Sequence, residues 1–187
     1  MIGRLPRTVN VGGKDEPIRT DYRDILNIFS AFNDEDLSKE EKVLVCLRVF
    51  YENIEDMDMS LYEEAYNKAI IFMDQGRESK KNTSEPKLMD WEQDENLIFP
   101  AVNKVAGMEV RACGYMHWWT FIGYYMGIGE SVFSEVINIR SKNQKHKKLE
   151  KNEKEFYSKN KDLVDLKVRY SKEEIEEREE LKELLGI

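Results

Sequence analysis

The chain has little of what would name a chemistry. It carries two cysteines, Cys46 and Cys113, and two histidines in 187 residues. The cysteines lie far apart with no Cys-x-x-Cys pair, so they spell neither a disulfide framework nor a thiolate metal site; a reduced, cytosolic setting fits them. No Gly-x-x-x-x-Gly-Lys loop is present, and Gly127-Ile128-Gly129 lacks the preceding strand that a phosphate cradle needs. Met1 to Arg7 has no apolar run of the signal-peptide kind. The most apolar stretch, Cys113 to Gly129, falls short of the roughly 20 residues of a spanning helix. It is also interrupted by His117, Gly123, Gly127 and Gly129, so it reads as a buried helix with no membrane partner. Positive charge is outnumbered: 29 Lys and Arg against 37 Asp and Glu leave a formal net charge of −8 and a pI near 5.0. That balance argues against general nucleic-acid affinity.

What remains is helical sequence under a charged surface, 41% hydrophobic and 35% charged. The fold class expected is mainly α, a helical domain with a short N-terminal β-hairpin and a charged C-terminal helical extension. Residues 7–20 give the hairpin: Val9-Asn10-Val11, a Gly12-Gly13 turn, and a return through Pro17-Ile18-Arg19 on an edge. Thr20 or Asp21 caps a first helix with Tyr22, Ile25, Leu26, Phe29 and Phe32 inward. Ser38 to Glu41 is a capping box for a second, with Val43, Leu44, Leu47 and Phe50 inward. Ser60 to Glu63 repeats the box for a third, with Leu61, Ala65, Ala69, Phe72 and Met73 inward and Gly76 as its stop. Arg77 to Lys87 reads as a linker. Asp90 caps a helix with Trp91, Ile98, Val102 and Val105 inward, kinked or divided by Pro100 and ended at Gly107. Tyr115 to Met126 is apolar all round. Ser131 opens a helix with Val132, Val136 and Ile139 in phase, and Ser171 to Glu174 is a further capping box. The domain division expected is 1–76 hairpin plus helices, 77–89 linker, 90–140 aromatic-rich helical core, and 141–187 charged helical tail.

The 90–140 stretch carries all three tryptophans, in Asp90-Trp91-Glu92-Gln93-Asp94 and His117-Trp118-Trp119. With Ile98, Phe121, Gly127, Ser131 and Ile139-Arg140 it resembles the bacteriophage gene-product-fifteen family. The opening Thr20-Asp21-Tyr22-Arg23, with Ile25-Leu26 and Asp34, is similar to the start of that family. The resemblance singles out Asp90, Trp91, Asp94 and His117 as family-motif residues. It implies a tail assembly chaperone of long-tailed phages and prophages of Gram-positive bacteria. Such a protein coats the tape-measure protein in the host cytoplasm, leaves before the virion matures, and is not an enzyme. A structural virion component or oligomeric scaffold of the tail is the second reading. A helical accessory protein with a metal or nucleic-acid site is the third.

The residues themselves leave the site open. No catalytic, cofactor-binding or metal constellation can be assembled. His117 reads as a hydrogen-bonded core histidine. Asp90, Asp94 and Glu95 read as helix capping and solvated charge, since a hard cation needs several converging oxygens. Cys46 and Cys113 read as structural. The aromatic run is core in the main, with Trp118, Trp119, Phe121, Tyr124 and Tyr125 as anchors for a partner wherever they reach the surface. From Arg140 to Lys161 there are nine Lys and Arg against three Glu, a local net of +6 that leaves −14 on the rest. The tail reads as helices projecting from the body or docking elsewhere, and the opposed charges invite self-association.

Overall fold

A computed structural model describes residues 3–77 and 87–176. Strand β1 (Thr8–Val11) pairs antiparallel with β2 (Lys14–Pro17), Thr8 opposite Pro17 and Val11 opposite Lys14. Gly12 and Gly13 turn the chain between them at φ 58° and 83°, the positive angles that a two-residue hairpin turn demands. A Cβ on Gly12 would also come within 2.8 Å of a Leu61 methyl. The Gly12 N–H donates to the Glu64 carboxylate at 3.2 Å, so the hairpin is held on the third helix, as a two-stranded ribbon must be to persist in water.

The mainly α expectation holds. Helix α1 (Tyr22–Phe32) starts at Asp21, whose carboxylate accepts from the Arg23 N–H at 2.9 Å. Helix α2 (Lys39–Phe50) has the reciprocal Ser38–Glu41 box. Its last carbonyls receive the Arg19 guanidinium, which donates to Arg48, Val49 and Tyr51 at 2.6–3.0 Å, a cation at the negative end of the dipole. The box expected at Ser60–Glu63 does not form. Asp58 takes the Ser60 N–H at 2.8 Å and starts a 3-10 turn, Met59–Leu61, from which α3 (Tyr62–Met73) grows. Helix α3 ends through Gln75 and Gly76 at positive φ, with the Gly76 N–H on the Ile71 carbonyl at 2.8 Å.

Helix α4 (Glu95–Ala106) runs unbroken through Pro100 and stops at Gly107, φ 70°. The proline forfeits one bond, while buried Ile98, Phe99, Ala101 and Val102 hold the flanking turns. Helix α5 (Trp118–Met126) is shorter than the apolar run. Tyr115 to His117 is extended instead, because the Tyr22 N–H bonds Met116 and the Trp118 N–H bonds Thr20 at 2.9 and 2.7 Å. Helix α6 (Val132–Gln144) opens at Ser131 as expected, followed by α7 (Lys151–Lys159) and α8 (Lys161–Val164). The Ser171–Glu174 box forms at the last described turn.

Helix α1 packs on α2 and α5, α2 on α3, and α4 on α5 and α6. One apolar cluster runs from Val11 through Ile25, Phe50, Ala69, Ile98 and Trp118 to Phe133. The 1–76 and 90–140 portions both contribute to this cluster. Of the positions expected inward, Leu44, Val105 and Val132 are exposed; Cys46 and Phe133 take buried places beside them, and Ile28 joins the buried face of α1. The tail does not project over 141–169. Helix α8 returns to α6 and buries Val164 against Val136 and Ile139, with Phe156 and Tyr157 packed alongside. Residues 78–86 of the expected linker, and Leu181, Leu184 and Leu185 of the expected tail helix, lie outside the described residues.

Candidate functional site

Helix α5 is positioned by its own first residues. His117 is its N-cap: Nδ1 accepts from the Trp119 N–H at 3.0 Å, which leaves the proton on Nε2 to donate to the Pro6 carbonyl at 2.9 Å. The ring is buried, and that burial lowers its pKa below the ordinary value. Trp118, 1% exposed, donates from Nε1 to the Met73 carbonyl at 2.9 Å; Trp119 donates to the Phe72 carbonyl at 2.8 Å from a half-buried position. The two indoles thus donate to the last two carbonyls of α3, the Phe72 carbonyl accepting from the Gln75 N–H as well. Phe121 is wholly buried and stacks on Tyr22 with ring centroids 4.4 Å apart. Trp118 and Phe121 accordingly present no surface, which corrects their reading as partner anchors. Trp119, Tyr124 and Tyr125 are half-buried.

The Asp90–Asp94 segment has a different task from helix capping alone. Asp90 accepts from the Glu92 and Gln93 N–H groups at 2.9 and 3.0 Å, closing a turn just before α4. Asp94 points inward. Its two oxygens meet the Arg140 guanidinium at 2.7 and 2.8 Å, and one also accepts the Asp90 N–H at 2.9 Å. Arg140 spends its remaining donors on the carbonyls of Leu88, Leu163 and Val164 at 2.5–3.1 Å. Both side chains are buried, so one ion pair ties the start of α4, the end of α6 and the end of α8. Asp90 and Asp94 are therefore buried and engaged, not solvated.

The outer half of the same turn grips the chain beyond α8. The Gln93 amide donates to the Lys167 carbonyl at 3.0 Å and accepts its N–H at 2.8 Å. Arg169 bridges Asp90 at 3.0 Å and Glu92 at 2.5 Å, and Lys87 reaches Asp90 at 2.7 Å. Burial alone would raise the Asp90 pKa; the bonds from Lys87, the Gln93 N–H and Arg169 outweigh it and hold the carboxyl at about 2. Cys46 is inert, its thiol pushed up to about 12 by burial. Arg169 was missed from sequence, and Arg140, though among the residues that carry the resemblance, was given no role, yet a signal existed. They are the two arginines in a 140–176 stretch otherwise supplied with lysine, and arginine is the residue for planar, two-oxygen pairing with carboxylates.

One cleft of about 330 Å³ opens between α1 and α4. Tyr22, Leu26, Trp91 and Phe99 line it, with Arg23 and Arg111 at its rim beside Glu92 and Glu95. Arg23 lies over the Tyr22 ring at 4.6 Å and Arg111 over Phe99 at 5.1 Å. Ser30 hydrogen-bonds Glu92 across the cleft. Trp91, half-buried, stacks on Phe29 and touches Tyr125. The site offers an apolar groove with charged edges. Among the described residues no cluster of three or more metal-ligating side chains occurs, and no helix is long and apolar enough to cross a membrane.

A mainly α body with an apolar, charge-rimmed cleft between two of its helices is the class these features define. The family model described as Bacteriophage Gp15 protein matches residues 1–166. The chain therefore belongs to that bacteriophage family. Neither a curated protein nor a solved structure matches it.

Proposed function

We propose that this chain is a phage tail assembly chaperone that binds the tape-measure protein during tail morphogenesis, and that it acts without catalysis. Membership of the bacteriophage family over residues 1–166 carries this reading. The cleft between α1 and α4 supports it as the contact surface. A tape-measure protein is a long helical chain, and an amphipathic helix seats apolar side chains in such a groove at helical spacing. Leu26 and Asn27 present the α1 wall, with buried Tyr22 and Phe99 behind it, and Trp91, half-buried, is the aromatic anchor at the end. The charged rim sets orientation more than affinity. Tyr124 and Tyr125 extend the aromatic surface where they are accessible, whereas Trp119, bonded to the end of α3, does not line the cleft.

Co-expression in a bacterial host tests it. The tape-measure protein stays soluble and co-purifies when this full chain is present, aggregates when it is absent, and finished particles lack the chain. A tape-measure protein equally soluble alone, with no complex in gel filtration, overturns the reading. A stoichiometric amount of the chain in finished particles replaces it with that of a structural tail component.

A further inference from the structure

Beyond Val164 the described chain lies on the body as a strap, and its contacts are polar. Gln93 pairs with the Lys167 main chain, Arg169 sits between Asp90 and Glu92, and the Lys172 N–H donates to Asp36 at 2.7 Å with its ammonium 3.3 Å from the same carboxylate. We propose that this strap is exchanged between copies: the notch made by Asp90, Glu92 and Gln93 on one copy takes residues 167–172 of a second copy.

Four observations support exchange. First, no residue from Asp165 to Glu176 is fully buried, so the strap leaves none of its own side chains in the core and opening is a low-cost local event. Second, the chain after Asp165 lies outside helix and strand up to the Ser171 cap, so Leu166 joins the strap to the Val164 anchor without regular structure. Third, the fit within one copy is imperfect: Arg169 Nε is buried without a hydrogen-bond partner among the described residues, and Val168 is 70% exposed. Fourth, a basic strap meets an acidic notch, and identical copies present identical pairs, so the contact made across copies is chemically the contact already made within one. Trading an element between protomers is a low-cost route to association. The tether within one copy gives it a high effective concentration, so exchange grows with protein concentration. The inference stands whether or not the tape-measure protein is the partner.

The full chain is prepared at natural and heavy-nitrogen abundance, mixed in equal amounts, and treated with a carbodiimide, which joins Lys172 to Asp36 where the two touch. Exchange predicts cross-linked peptides containing one light and one heavy partner. These rise with protein concentration toward about half of the total, the random limit. Salt, which screens the charges, and Arg169→Ala both lower the total Lys172–Asp36 yield, mixed and unmixed products together. Only light–light and heavy–heavy products at every concentration overturn the proposal. Failure to cross-link Lys172 to Asp36 at all overturns it too, because the contact to be exchanged is then absent.

Discussion

His117 satisfies one N–H and one carbonyl at once, and only as the neutral ring. Protonating Nδ1 turns its acceptor into a donor facing the Trp119 N–H. Because burial lowers the folded pKa below the ordinary 6.5, the stabilisation is fully present above pH 6.5 and is lost as pH falls through the folded value. Denaturant melts across pH 7 to 5 should show that decline, and His117→Ala should abolish it while costing about 0.5–2 kcal/mol as a lost cap. The indoles divide by depth. Trp118→Ala removes a buried side chain and should cost about 3–5 kcal/mol, while acrylamide should quench Trp119 ahead of Trp118. The sequence made the histidine legible as a structural residue but not as a cap. Its place inside one apolar run hid the fact that Met116 and Trp118 bond to the start of α1, which keeps Tyr115 to His117 out of the helix.

At the scale of elements, the turn before α4 is a clasp. Asp94 and Arg140 are a buried bidentate pair. Breaking such a pair from one side strands a charge, so Arg140→Met should cost about 3–5 kcal/mol. Asp94→Leu combined with Arg140→Met should recover much of that loss, since an apolar pair of similar volume serves as well. Chemical denaturation of the two variants decides it. Asp90 governs the outer half. Its pKa is lowered from 3.8 to about 2, so its contribution is complete above 3.8 and lost as pH falls toward about 2. Protease cleavage within 165–172 should accelerate over that window. Capping residues and apolar spacing foretold most helices, and the hairpin followed from two glycines. The clasp was not foretold, because Asp94, Arg140 and Arg169 lie on separate elements and no local pattern couples them. The misplaced start of α3 has a local cause, a competing aspartate two residues upstream of the serine.

For the whole molecule, one core joins the regions on either side of residues 78–86, and the basic 140–161 stretch folds back over α6 instead of standing apart. Hydrophobic periodicity identified most of the inward residues but not which helices share an interior, since that depends on long-range pairing such as α1 with α5. It also overrated Trp118 and Phe121 as surface anchors: an all-round apolar helix looks the same whether its neighbours are its own chain or a partner. The cleft between α1 and α4 takes their place as the central element of the functional account. Asn27 lines that cleft from an exposed position on α1, so Asn27→Trp fills it without entering the core. The decisive measurement is recovery of soluble tape-measure protein on co-expression with the wild-type chain, with Asn27→Trp, and with Trp119→Phe, each variant first shown to melt as the wild type does. Docking in the cleft predicts that Asn27→Trp weakens binding about tenfold or more, a loss of about 1.4 kcal/mol, while Trp119→Phe binds as the wild type. Undiminished binding by Asn27→Trp contradicts it.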